Sequence, residues 1–280
     1  MTGINLSTAR SYLFVPADRP ERFEKALKSG ADIVVIDLED AVRPENKKMA
    51  RDCLSDWQQT AATGSVCLRI NDVGHPDIEH DLRLAVHPTI AGVMLPKVDG
   101  ASCCTMIAKE SHKPILALIE TARGLKAAHE IATAGVHNLV LGTIDLALDL
   151  NIDPNSQEGR FVLDQARTSL RIASSAADLN DPVDGVHTNL DDHPGLVAAA
   201  KHAKAFGFGG MLAIHPKQTT AINLTMAPTA DELDWATRVI SVASLPDQHG
   251  AFHLDGRMID APIIEKAKRI LQSSRGSEAC

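Results

Sequence analysis

No stretch of this 280-residue chain approaches the roughly 20 consecutive apolar residues that a membrane-spanning helix requires. Residues 1–10 also lack the basic-then-apolar order of a secretory leader. Positive charge is in deficit, with 28 Lys and Arg against 36 Asp and Glu and a formal net charge of -8. A general nucleic-acid or acidic-membrane surface needs an extended basic field, so neither partner is expected, whereas a small anion at a local basic cluster is compatible. Cysteine is sparse and unpatterned. Cys53, Cys67, Cys103, Cys104 and Cys280 form an odd set without zinc-type spacing, and the adjacent Cys103 and Cys104 are poorly placed to pair. Reduced, non-functional thiols in a reducing compartment follow, and with them the expectation of a soluble cytoplasmic protein.

A dinucleotide signature is also missing. No G-x-G-x-x-G follows the first apolar run, and Gly207, Gly209 and Gly210 precede a strand instead of opening a helix. What is present is a repeating alternation. Short apolar or β-branched runs fall at 11–15, 33–38, 66–70, 92–95, 115–119, 138–141, 184–186 and 211–214. Between most of them lie segments of helical period, such as 21–29, 47–59, 124–134, 159–177 and 194–206. Parallel strands with crossover helices follow, and eight such units predict an α/β fold of the TIM (β/α)8 barrel type over residues 1–218.

Polar residues recur where these runs stop: Pro16 to Arg19, Asp37 to Asp40, Arg69 and Asn71, Pro96 and Lys97, Glu120, Asp145, His187 and His215. In a TIM barrel all of these lie on one face. Carboxylates delivered from several strand ends to one rim suit a hard divalent cation such as Mg²⁺, which takes oxygen ligands and leaves positions open for a substrate. Residues 219–280 exceed a simple terminal cap. They predict helices at 231–243 and 262–271, joined by a loop carrying Gly250, Asp255 and Gly256, with a disordered tail at 273–280. This C-terminal helical extension reads either as a lid reaching a neighbouring subunit or as a helical hairpin packed under the barrel.

Several blocks are more specific. Arg10-Ser-Tyr-Leu-Phe-Val-Pro-Ala-Asp-Arg-Pro-Glu21 and Gly30-Ala-Asp-Ile-Val-Val-Ile-Asp-Leu-Glu-Asp-Ala-Val42 are followed by Leu68-Arg-Ile-Asn71, Leu95-Pro-Lys97 and Ile119-Glu-Thr-Ala-Arg-Gly124. Leu141-Gly-Thr-Ile-Asp145, Ile214-His-Pro-Lys-Gln218 and Asp255-Gly-Arg-Met-Ile-Asp-Ala-Pro262 complete the series. In content and order these blocks resemble the citrate lyase β-subunit family, within the HpcH/HpaI aldolase group that includes citryl-CoA, malyl-CoA and citramalyl-CoA lyases. The resemblance implies retro-Claisen cleavage of a 3-hydroxyacyl-CoA thioester by a TIM-barrel enzyme.

It also implies roles. Glu120 and Asp145 match the family's Mg²⁺ ligands, with waters and substrate completing the shell. Arg69 resembles the substrate arginine, whose fork holds oxygen ligands, and Glu39 and Asp40 match acids near the metal. Asp37 reads as a backbone-bonding group outside the catalytic set. Arg19 and Lys25 match the coenzyme A-contacting pattern beside Phe14, where a main-chain group can approach the thioester; Arg22 reads as solvated. Asp260 resembles a lid aspartate that exchanges a proton with the enolate carbon from a neighbouring subunit, which implies a trimer or hexamer. Its alternative is a helix N-cap before Pro262, with Asp255 the fallback acid. His215 suits a structural role, and His187 lies in a block that departs from the family pattern. A citryl-thioester subunit needing an acyl-carrier partner, and a thioesterase, remain the rival functions.

Overall fold

The computed structural model describes residues 5–245 and 250–275, so Cys280 and the tail from 276 lie outside the described residues. The chain separates between Met226 and Ala227 into two compact units. In the first, eight parallel strands close into a barrel: β1 Ser11–Pro16, β2 Ile33–Asp37, β3 Val66–Arg69, β4 Ile90–Leu95, β5 Ile115–Ile119, β6 Asn138–Leu141, β7 Val183–Asp184 and β8 Gly210–Ala213. β8 returns to β1 through Ser11 opposite Met211. Around the barrel run α1 Phe23–Leu27, α2 Lys47–Gln58, α3 Ile78–Ala85, α4 Ala101–Ser111, α5 Ala122–Lys126, α6 Ala128–Ala132, α7 Thr143–Asp149, α8 Gln157–Ala176, α9 His193–Ala205 and α10 Pro216–Met226.

Strands such as β2 and β5 are buried at every residue, because helices cover one face and the barrel interior the other. Two apolar layers result. Leu13, Ile36, Leu68, Leu95 and Ile119 join helix residues such as Leu54, Ile107 and Leu170 in the outer layer. Tyr12, Val35, Cys67, Met94, Leu116, Leu118, Val140 and Leu212 form a separate cluster without helix residues, which is the barrel interior. The period of two along each strand therefore decides which side chains point inward.

Element edges differ from the sequence expectation where local chemistry intervenes. The segment 21–29 forms a 3-10 turn, Pro20–Arg22, and then α1, with Gly30 in the left-handed conformation at φ 78° after it. The helix expected at 124–134 is two short ones, α5 and α6; Thr121 caps α5 by accepting from the Gly124 amide. β7 begins at Val183, directly after Pro182, which has no amide hydrogen, and is only two residues long. The first unit extends eight residues past 218, because α10 completes the eighth β/α unit. Thr219 and Asn223 of α10 donate to the carbonyls of Ser29 and Gly30.

In the second unit α11 Ala230–Ala243 starts from a Thr229/Glu232 capping box. The segment expected as a loop is a hairpin, β9 Phe252–Leu254 with β10 Arg257–Ile259, turned at Asp255 and Gly256, both at positive φ as a tight hairpin turn requires. α12 Ala261–Arg275 follows, so 273–275 are helical rather than disordered. Ala236, Val239, Phe252, Ile259 and Ala267 form this unit's own core.

Candidate active site

The inward positions that hold apolar side chains deep in the barrel carry charge where the strands end. Two residues beyond Val35, Cys67 and Leu118 come Asp37, Arg69 and, just past the end of β5, Glu120, continuing the same inward parity. Asp37 is fully buried and grips Arg69 with both oxygens: Nε donates to Oδ1 at 2.7 Å and Nη2 to Oδ2 at 2.6 Å. The same carboxylate accepts the amides of Glu39 and Ala41, at 2.8 and 3.2 Å, so it fixes both the arginine and the loop after β2. Arg69 lies over the Phe14 ring, 4.6 Å from Cζ to the ring centre. Burial alone would weaken its charge, but the charge and hydrogen bonds of Asp37 outweigh that and hold the guanidinium well above its ordinary pKa.

Arg69 Nη1 also stands 3.3 Å from Glu39 Oε2, while Lys97 Nζ lies 2.6 Å from Glu39 Oε1 and 3.8 Å from the exposed Asp40. The Lys97 amide donates to Glu120 Oε1 at 2.7 Å. Glu120 is 2 % exposed, and burial pushes its carboxyl up to about 8. The Lys97 amide opposes that rise, and the charge of Asp145 adds to it. Asp145 is half-buried in the first turn of α7. Against Glu120, Gly142 leaves a cradle: a Cβ there would stand 2.5 Å from Glu120 Cβ and 2.7 Å from its Oε2.

When ionised, Asp37, Glu39, Asp40, Glu120 and Asp145 face Arg69, Lys97 and the more remote Lys47, which leaves two negative charges uncompensated. That excess, and a buried carboxyl that gives up its proton only reluctantly, fit a divalent cation between Glu120 and Asp145. No cluster of three or more His, Cys, Asp or Glu arranged to hold a metal occurs among the described residues, so most of a cation's shell would come from waters and substrate.

Arg19 and Lys25 are exposed on the 3-10 turn and α1 after β1, and Arg22 forms an exposed pair with Glu21 at 3.9 Å. Asp260 belongs to the second unit, where Oδ1 accepts the Ile263 amide at 3.3 Å and caps α12. Asp255 pairs with Arg238 at 2.7 Å. His215 Nδ1 accepts the Lys217 amide, a local structural bond. The His187 carbonyl accepts from Gln218, and its Nε2 is 3.6 Å from Asp192. Sequence reasoning did not single out Lys97, Gly142 or Lys47 for the site. Lys47 donates to the carbonyls of Leu38 and Glu39 and to Asn71 Oδ1 at 2.6–2.7 Å, which anchors the loops after β2 and β3. The inward parity of β6 is the signal that could have found Gly142; Lys47 sits on a helix and gives none.

A closed eight-stranded barrel whose C-terminal mouth holds a clamped arginine beside buried acids is a TIM-barrel enzyme, with its site at the usual face. The model of the HpcH/HpaI aldolase/citrate lyase family matches residues 10–216. A citrate lyase subunit beta-like protein of Mycobacterium tuberculosis is 35% identical over 272 residues, covering 96% of both chains. A (3S)-malyl-CoA thioesterase of Cereibacter sphaeroides is 31% identical over 96% of both. Among solved structures, the protein CitE of M. tuberculosis in complex with magnesium, acetoacetate and coenzyme A superposes with a TM-score of 0.82 at 34% identity, covering 96% of this chain and 100% of that one. The chain belongs to the HpcH/HpaI aldolase/citrate lyase family, and within it to the citrate lyase β-like enzymes.

Proposed function

We propose that the protein is a Mg²⁺-dependent lyase that splits a 3-hydroxy-3-carboxyacyl-CoA, malyl-CoA or citramalyl-CoA, into acetyl-CoA and a 2-oxo acid. The observation that carries this reading is the buried Glu120, packed against Gly142 and within the fields of Asp145 and the clamped Arg69. The relative whose structure holds magnesium and coenzyme A supports it. Glu120 and Asp145 would hold the cation, which when bound supplies positive charge to the hydroxyl and carboxylate oxygens of the substrate.

The chain's own groups do the rest. Asp37 fixes the Arg69 fork so that it can face oxygens of the reacting substrate without reorganising. Glu39 and Asp40, held by Lys97, hold waters at the site and orient Arg69. The hydroxyl proton passes to a water held by Glu39 and Asp40 as the O–H pair closes the new carbonyl and the C–C bond breaks, its electron pair passing to the acetyl thioester as an enolate. Asp260, supplied by a neighbouring subunit of a trimer or hexamer, returns a proton to that carbon. Arg19 and Lys25 meet coenzyme A phosphates beside Phe14. The enzyme acts in the cytoplasm on the free thioester, without a carrier partner.

Incubation of the protein and Mg²⁺ with malyl-CoA, citramalyl-CoA and citryl-CoA separately should give acetyl-CoA and one 2-oxo acid from one of them, lost with EDTA. Absence of any EDTA-sensitive product would sink the reading. The thioesterase relative favours a second activity at the same site, and free CoA without a 2-oxo acid would select it.

A further inference from the structure

Lys97 stands two residues past β4 at φ 50°, in the left-handed region that a non-glycine residue occupies only when its surroundings hold it there. In this conformation its amide reaches Glu120 Oε1 at 2.7 Å, and its ammonium reaches Glu39 Oε1 at 2.6 Å. One residue thus touches acids from two different strand ends, through two different groups. Both acids are almost wholly buried, so each needs a fixed donor to hold one rotamer in a mouth with excess negative charge. Other donors secure Glu39 as well, namely Arg69 Nη1 at 3.3 Å and the Asp40 amide at 2.8 Å.

We propose that Lys97 is a positioning residue that ties the mouth together twice, its left-handed backbone amide setting the Glu120 carboxylate and its ammonium setting Glu39. The assignment rests on the reading of Glu120 as a cation ligand. The two ties are separable by mutation. Glycine adopts positive φ freely and keeps the N–H, so Lys97→Gly removes only the ammonium. Valine resists positive φ, so Lys97→Val removes both ties. Lys97→Arg keeps a cation.

The test measures Mn²⁺ binding by electron paramagnetic resonance, steady-state turnover of the thioester that the wild type cleaves, and thermal melting to confirm folding. Lys97→Gly should bind Mn²⁺ within about threefold of wild type while kcat falls about tenfold or more and KM changes little. Lys97→Arg should recover part of that kcat. Lys97→Val should also weaken Mn²⁺ binding by about tenfold, and Lys97→Ala, also strained at positive φ, replaces it if valine prevents folding. Equal Mn²⁺ affinity in the glycine and valine variants, or wild-type kcat in Lys97→Gly, overturns the proposal. Wild-type protein that binds no Mn²⁺ overturns both the proposal and the lyase reading. Mn²⁺ binding without turnover of any thioester overturns the lyase reading alone, and the glycine-to-valine difference in affinity still decides the role of Lys97.

Discussion

Glu120 and Arg69 make opposite electrostatic demands on the same mouth. Burial raises the Glu120 carboxyl from 4.5 to about 8, so the folded chain binds that proton more tightly than the unfolded chain does. Without metal, stability should therefore decline as pH rises from about 4.5 toward 8, and this contribution should level off above that. Melting curves of EDTA-treated protein should show the decline, about a few degrees, and Glu120→Gln should lack it. For Arg69 the relevant chemistry is shape. Lysine offers a point charge where Asp37 expects a two-pronged fork, so Arg69→Lys should lower kcat/KM about 100-fold or more while the fold survives. A variant within threefold of wild type would show that charge alone suffices. At this scale the sequence was informative wherever an acid or arginine ended an apolar run. It placed Lys97 on the rim but gave it no role, because its importance lies in a backbone angle that residue type does not reveal.

Among the elements, β6 shows how one strand end serves its neighbour. It stops at Leu141, and Gly142 opens the space that the side chain of Glu120, the residue just past β5, occupies. Gly142→Ala should push Glu120 aside, costing about 1–3 kcal/mol of stability and most Mg²⁺-dependent turnover, as thermal melting and a product assay would register. An alanine variant with full turnover would mean that the cradle has slack. Strand positions were readable from β-branched runs because parallel barrel strands are buried on both faces. β7 was the exception. Its ladder is short, and Arg167 instead ties Asp184 to Asp164 through side-chain bonds that leave no periodic trace. The hairpin of β9 and β10 was missed for a similar reason. Three-residue strands are too brief to show alternation, although the Asp255-Gly256 pair carried the turn signal.

For the whole molecule, the alternation of eight apolar runs with helical segments announced the barrel, because no other soluble fold buries so many parallel strands in a closed ring. The proposed supply of Asp260 by a neighbour would be a property of the assembly, which a single chain's sequence suggests only through family likeness. Mixing two inactive variants tests it. If Asp260 acts across subunits, Glu120→Gln and Asp260→Asn proteins dissociated and reassembled together should recover part of wild-type turnover, as hybrid oligomers pair an intact metal site with an intact acid. No recovery, with hybrids verified by mass, would place the acid within its own chain or remove it from the reaction. The barrel is thinnest at β7, most of all on its β6 side. β6 and β7 share a single aligned pair, Val140 with Val183, where β1 and β2 share five. A hoop fastened so unevenly should breathe there first, and amide deuterium exchange should reach Val183 well before Val35. The loop that follows that seam carries His187, whose carbonyl accepts from Gln218. Brief parting at β7 would then give that loop room to sample new shapes while Asp37, Arg69 and Glu120, carried at the ends of strands outside the seam, keep their places.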